Sequence, residues 1–396
     1  MRPYCLLVLC GMLSGALQAQ YQIGHTSITF TDPARNNRPV LTEIYYPADS
    51  AGDNVAIAAG LFPVIHFGHG FVMVWSAYQN FSDTLVPQGY ILCFPRTEGS
   101  FSPNHTEFAR DLAFLCSAME AENTQPASAF FGHVMPRHCI MGHSMGGGCT
   151  VLAYQYNPDL IKCLATFAAA NTNPSAIAVA PGVQAPSLTF AGSYDCIAPP
   201  AQQARAIYEA LDSAACKIYF NIDGGSHCQF ANANTNCSLG ESFSGCATPP
   251  VTRQAQQALV NGVLLPWLNF YLREDQGAWP VLLDALATAN GFSSENTCLG
   301  ITRLSEPPAA GPDWQLVGNI LTDSSLAVQI TGISQNTVFD FFIFDTSGKL
   351  ITAVSGQWMA PEAPLTISTA GFPRGVLYLV AVDQKGEKRG QKIIVR

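Results

Sequence analysis

A serine lies between two glycines directly after a short apolar run. Cys139-Ile140-Met141 reads as a buried strand and Gly148-Cys149-Thr150-Val151-Leu152-Ala153 as the small-residue start of a helix, so Gly142-His143-Ser144-Met145-Gly146-Gly147 must turn the chain between them. A turn that sharp brings the backbone against itself, which requires glycine at 142 and 146, and it lifts the side chain at its apex clear of the sheet. The chain is therefore constrained to layers of strand and helix, and Ser144 is a candidate nucleophile.

A serine hydroxyl is a weak nucleophile and needs a base that is itself held by an acid. Leu188-Thr189-Phe190-Ala191-Gly192 reads as a strand that runs out into Ser193-Tyr194-Asp195-Cys196, and Lys217-Ile218-Tyr219-Phe220 as another that leads to Gly224-Gly225-Ser226-His227. Both candidate partners follow strand ends. The order Ser144, Asp195, His227, with gaps of 51 and 32 residues, is that of the α/β-hydrolases, and each gap has room for one or two strand and helix units. In that order His227 takes the serine proton and Asp195 fixes the imidazole tautomer. Asp223 is the competing acid and reads as a turn residue. The oxyanion of the tetrahedral intermediate also needs two N–H donors. Met145, at the start of the helix, supplies one, and Phe71, in the loop after Pro63-Val64-Ile65-His66-Phe67, is assigned the other.

Two nearby features have plainer readings. His66 and His69 point apart on an extended segment, so no metal is expected there, and His143 is expected to pack under the turn. The apolar run Phe71 to Trp75 with Tyr78 either caps the core or forms a rim facing an apolar substrate.

Of 396 residues, 48% are apolar and 12% charged, and the net charge of −9 comes without any cluster of basic residues. That excludes a disordered chain and gives no footprint for nucleic acid. Residues 1–19 have the charged start, apolar run and small-residue cut site of a secretory leader, and no later apolar stretch is long enough to span a bilayer. No stable membrane insertion is expected. Eleven of the thirteen cysteines follow Ala19. In an oxidising compartment Cys196 and Cys228, each directly after a candidate partner, are read as one disulfide, and Cys237 and Cys246 as a second, with Cys298 competing. Cys93, Cys116, Cys139, Cys149, Cys163 and Cys216 are read as buried free thiols.

From Tyr21 to Leu272 strands and helices alternate, which builds a mostly parallel sheet covered by helices on both faces, with the first two strands antiparallel. Residues 305–312 form a proline-rich linker. Beyond it, short alternating strands without helices predict a small all-β sandwich. The expected organisation is a leader at 1–19, an α/β-hydrolase domain at 20–304, the linker, and a β-sandwich at 313–396.

These residues carry two resemblances. From about Tyr21 to Leu272 the chain resembles the dienelactone hydrolase, platelet-activating-factor acetylhydrolase and chlorophyllase-like group of α/β-hydrolases. Gly142 to Gly148, Tyr194-Asp195-Cys196-Ile197-Ala198-Pro199 and Gly224 to His227 look like its cutinase and polyester hydrolase branch. The resemblance implies a serine carboxylic ester hydrolase, with Ser144, Asp195 and His227 as triad and Phe71 and Met145 both donating to the oxyanion and binding substrate. It implies no cofactor, an apolar ester, lipid or polyester substrate, and a monomer. The tryptophan that the branch carries after the strand following the elbow helix is replaced by Ala168-Ala169-Ala170-Asn171. The C-terminal region, through Phe372 to Val380 and Lys388 to Arg396, resembles the sorting domain of type IX secretion substrates. That likeness implies export to the medium or cell surface after passage through the periplasm, with the type IX machinery as partner. A serine amidase or peptidase on the same triad and a catalytically silent binding protein are the rival functions.

Overall fold

The computed structural model describes residues 21–288, 290–298, 315–322, 325–331, 337–345, 350–360, 365–370, 372, 374–383 and 388–395. The leader and the proline-rich linker lie outside the described residues.

Ten strands form one sheet: β1 (Gln22–Asp32), β2 (Arg38–Ala48), β3 (Gly52–Asp53), β4 (Phe62–Gly68), β5 (Ile91–Pro95), β6 (Val134–His143), β7 (Ile161–Phe167), β8 (Ser187–Gly192), β9 (Lys217–Ile222) and β10 (Phe292–Asn296), in the order β10-β9-β8-β7-β6-β4-β5-β2-β1-β3. Strands β4 to β9 pair in parallel with one another, while β10 joins β9 and β2 joins β5 antiparallel, and β1 and β2 are antiparallel to each other as the sequence predicts. The helices are α1 (Gln79–Leu85), α2 (His105–Thr124), α3 (Met145–Tyr154), α4 (Ala176–Val179), α5 (Ala204–Ala210), α6 (Thr235–Phe243), α7 (Arg253–Arg273) and α8 (Ala278–Thr288).

The parallel strands are buried on both faces, so they read as continuous apolar runs whose alternate residues serve different cores. Ile65, Phe67, Cys139, Met141, Leu188 and Phe190 pack on one face with Val260, Leu264 and Trp267 of α7. On the other face Ile140 and Leu164 pack with Leu112 of α2 and Leu152 of α3. Each fully buried large side chain contributes about 1.5–3 kcal/mol. The long helices start where a side chain can cap them. Asn104 accepts from the Glu107 N–H at 3.1 Å to begin α2, and Thr252 accepts from the Ala255 N–H at 3.2 Å to begin α7.

Toward the C-terminus two antiparallel sheets occur. One orders β11 (Gln315–Thr322), β12 (Ser325–Thr331) and β15 (Leu365–Ser368) as β11-β12-β15. The other orders β13 (Thr337–Asp345), β14 (Leu350–Met359), β16 (Gly375–Asp383) and β17 (Lys388–Val395) as β14-β13-β16-β17. Leu326, Val328, Phe339, Phe341, Ile343, Leu377 and Leu379 form a core of their own. Six of these strands are legible as alternating runs; β11 is not.

The cysteine pairing differs from the sequence reading. All four expected cysteines are bridged, but as Cys196–Cys246 and Cys228–Cys237 rather than Cys196–Cys228 and Cys237–Cys246. The segment that carries Cys237 is helix α6, started by Asn234 accepting from the Cys237 N–H. Cys237 in its first turn takes Cys228, and Cys246 just past its end takes Cys196. The carboxylate of Asp195 and the ring of His227 face each other, so the cysteines next to them are directed outward to α6. Cys216 is not a free thiol either. It precedes β9 and pairs with Cys298 just after β10, the antiparallel neighbour of β9. Cys93, Cys116, Cys139, Cys149 and Cys163 are buried and free, as expected.

Candidate active site

Ser144 stands between β6 and α3 with φ 56° and ψ −120°, a backbone conformation that non-glycine residues rarely adopt. The turn is held by the Ser144 N–H donating to the Phe167 carbonyl at 2.9 Å and by the Ala170 N–H donating to the Ser144 carbonyl at 2.9 Å. Its glycines are steric requirements. A Cβ on Gly142 would come within 2.2 Å of the Gly146 oxygen, and one on Gly146 within 2.1 Å of the Gly68 oxygen. The second contact presses the first turn of α3 against the end of β4. The elbow and the loop beginning at His69 are thereby packed together.

That loop turns at once. Met73 N–H donates to the Gly70 carbonyl at 3.0 Å and Val72 sits at φ 53°, strain of the kind that collects at functional sites when surrounding structure holds it. The Val72 carbonyl is gripped by the Asn236 side chain of α6 at 2.9 Å. Met145 is the first residue of α3, where N–H groups lack partners within the helix. The Met145 side chain is buried, whereas the Phe71 ring is 50% exposed.

The loops after β8 and β9 meet beside the elbow. Asp195 Oδ1 accepts from the N–H groups of Ile197 (2.9 Å) and Ala198 (2.8 Å), which leaves Oδ2 to accept from His227 Nδ1 at 2.7 Å. A carboxylate only accepts, so His227 Nδ1 carries a proton, and in the neutral ring Nε2 then presents a lone pair. Asp223 is exposed and its backbone N–H bonds Gly291, so the acid beside His227 is Asp195. The Tyr194 N–H donates to the Gly225 carbonyl at 2.8 Å, tying the two loops together. Gln256 of α7 completes the clamp by accepting from the Ser226 N–H and donating to the Ser226 carbonyl, each at 2.9 Å.

His143 does more than fill space beneath the turn. Its Nε2 donates to the His227 carbonyl at 3.0 Å, and its Nδ1 accepts from the Tyr78 hydroxyl at 2.9 Å. That hydroxyl in turn accepts from the Gly70 N–H at 2.8 Å. Sequence reading missed this chain; the only signal is a histidine at the elbow and a tyrosine eight residues after Gly70.

His66 and His69 diverge as expected. The ring nitrogens of His69 lie 2.9 Å from the Gly70 carbonyl oxygen and 2.8 Å from that of Thr97. His66 instead meets two residues that the sequence does not place beside it. Its donor atoms and those of Cys116 and His138 lie within 4.8 Å of one another, a grouping able to approach a metal ion. The imidazoles there bond each other at 2.9 Å, and His138 donates to Glu120 at 2.9 Å, so hydrogen bonding accounts for the cluster.

A family model described as "PETase: PET hydrolase-like" matches residues 37–243, just over half of the chain and the stretch that holds Phe71, Ser144, Asp195 and His227. Cutinase 1 of Thermobifida cellulosilytica is 37% identical over 92 residues, 23% of this chain and 33% of that protein. Cutinase est2 of Thermobifida alba is 26% identical over 198 residues, 50% of this chain and 59% of the relative. Bis(hydroxyethyl) terephthalate hydrolase of Streptomyces coelicolor is 26% identical over 193 residues, 48% of this chain and 56% of the relative. The chain spans less than two thirds of the length of each of these curated relatives. With the matched segment covering the elbow and both partner loops, the chain belongs to the PET hydrolase-like family.

Proposed function

We propose that this protein is a secreted serine carboxylic ester hydrolase acting on apolar esters, polyesters among them. The observation that carries the reading is the buried Asp195–His227 hydrogen bond beside the strained Ser144 elbow. His227 Nε2 removes the Ser144 proton as Oγ adds to the ester carbonyl. The N–H groups of Phe71 and Met145 receive the oxyanion, a contribution of roughly 3–4 kcal/mol per donor in comparable sites. Collapse expels the alcohol with the proton from His227, and water then cleaves the acyl-enzyme by the same steps.

The substrate class is supported by what surrounds the serine. Phe71, Val74, Tyr194 and Ile197 are exposed beside the site loops, and Phe101 reaches the Phe71 ring at 6.4 Å between centroids. Phe101 is 84% exposed and Phe243 on α6 is 87% exposed, which suits contact with an apolar solid or lipid better than with a small polar ester. The cutinases and the terephthalate ester hydrolase among the relatives agree with this choice. Three disulfides favour an oxidising compartment. With the leader at 1–19, the catalytic unit at 20–304 and the C-terminal strands as a type IX sorting unit, the protein is read as exported. Among the described residues no helix is long and apolar enough to cross a membrane.

The test is hydrolysis of para-nitrophenyl esters from acetate to palmitate by the full chain, followed by amorphous polyester film. Ser144→Ala is expected to lower kcat by a factor on the order of 10⁶ with the fold retained. An active Ser144→Ala protein, or cleavage of anilides but not esters, would reject the reading.

A further inference from the structure

Two loops of the site are joined through a buried phenol and a buried imidazole. The N–H of Gly70 only donates and the carbonyl of His227 only accepts, so the protons between them have a single arrangement. His143 Nε2 carries hydrogen and Nδ1 is bare, and the Tyr78 hydroxyl must therefore point at Nδ1 while accepting from Gly70. We infer that Tyr78 and His143 are positioning residues that hold the oxyanion loop and the base loop in one register through this chain. The inference rests on the ester-hydrolase reading above.

The ends of the chain are what give it a role beyond packing. Gly70 immediately precedes Phe71, the assigned oxyanion donor, and the far acceptor belongs to His227 itself. Neither ring has room to drift. Tyr78 packs on Phe67 with centroids 4.7 Å apart, and His143 packs on the His227 ring at 4.7 Å. A Cβ on Gly70 would lie 3.0 Å from the Tyr78 oxygen and 3.2 Å from His143 Nδ1, so the loop is seated directly on both. Tyr78 and His143 have no accessible surface, so water cannot replace a lost link. Burial keeps the tyrosine protonated and the histidine neutral, the one pairing of states in which every link has a donor and an acceptor.

Breaking any link lets donor and base move independently, and a displacement near 1 Å costs about a hundredfold in rate. The experiment compares the full chain with Tyr78→Phe, His143→Leu, His143→Gln and the Tyr78→Phe/His143→Leu double variant on para-nitrophenyl butyrate. Active sites are counted with a stoichiometric phosphonate. Each of Tyr78→Phe and His143→Leu is expected to lose about tenfold to a hundredfold in kcat per titrated site, with KM changed by less than about threefold. The double variant should fall no further than the worse single, because both cut one chain. His143→Gln, which retains an N–H toward His227, should recover part of the loss. Wild-type kcat per titrated site in Tyr78→Phe with only a lower melting temperature would overturn the inference, as would losses that multiply in the double variant. If Tyr78→Phe does not fold, the difference between His143→Gln and His143→Leu carries the same test. Wild-type protein without Ser144-dependent turnover fails at the first step, and would overturn the ester-hydrolase reading rather than the chain alone.

Discussion

Strands β4 and β6 support two buried histidine networks with the same chemistry and different endings. In the middle of the strands His66 donates to His138, which donates to Glu120 of α2, and the outer nitrogen of His66 has no partner. At the carboxyl end of β6 His143 joins Tyr78 and Gly70 on one side to His227 on the other. The first network ties strand to helix and stops at a partly exposed carboxylate. The second ties one site loop to another. Burial alone therefore says little about what a histidine does; the groups at the two ends of its hydrogen-bond chain decide it.

The sharpest way to separate ring from backbone at His227 is Asp195→Asn. Asp195 holds the ring, whereas His143 holds the carbonyl of the same residue. An asparagine can still accept from Ile197 and Ala198 but can turn its NH₂ toward Nδ1, which moves the histidine proton to Nε2 and removes the base. The expected loss in kcat is on the order of 10⁴ with the melting temperature nearly unchanged. A loss below tenfold would mean that the ring is set from its backbone side, and the comparison would need redrawing.

The lower network should fail in the opposite way. His138→Leu strands the buried His66 N–H and removes the partner of Glu120 on α2. Urea unfolding is expected to show a loss of about 1–3 kcal/mol, with kcat per titrated site at the wild-type value. A fall in kcat would show that the two networks communicate along β6.

How much of this was legible in the sequence follows the same division. Ser144, Asp195 and His227 stand at strand ends in recognisable turns, where local chemistry dictates local structure. Partners joined across the sheet are set by packing that no local pattern encodes. His138 is an example: Pro136 interrupts the apolar run before Cys139, so the strand reads as short. β6 nevertheless begins at Val134 and passes the proline at an irregularity in its pairing with β4, between Phe62 and Val64. The disulfides misled for a related reason. Neighbours of two groups that meet need not meet themselves, because successive side chains leave a turn in different directions: His227 has φ −58° and ψ −54° and Cys228 begins a 3₁₀ turn. Helix α6 was hidden by its two serines and Gly240, residues that ordinarily favour turns, and it forms between a bridge in its first turn at Cys237 and another just past its end at Cys246.

The smallest effect compares the two networks through acid. Burial first, and the neighbouring histidine second, hold both His66 and His143 well below the usual value of 6.5. Each is neutral when folded and protonates near 6.5 when unfolded. Below that pH the unfolded chain binds a proton that the folded one does not, so stability is fully present above 6.5 and falls as the pH drops toward the depressed folded values. The slope is about 1.4 kcal/mol per pH unit for each such histidine. Urea unfolding between pH 7.5 and 5 should show it, and His66→Gln and His143→Gln should each flatten the slope by one proton. If His66→Gln flattens it and His143→Gln does not, His143 is already charged in the folded protein. Its Nδ1 would then donate toward Tyr78 instead of accepting, the phenolic proton would have to turn elsewhere, and the single proton arrangement from Gly70 to His227 would be lost.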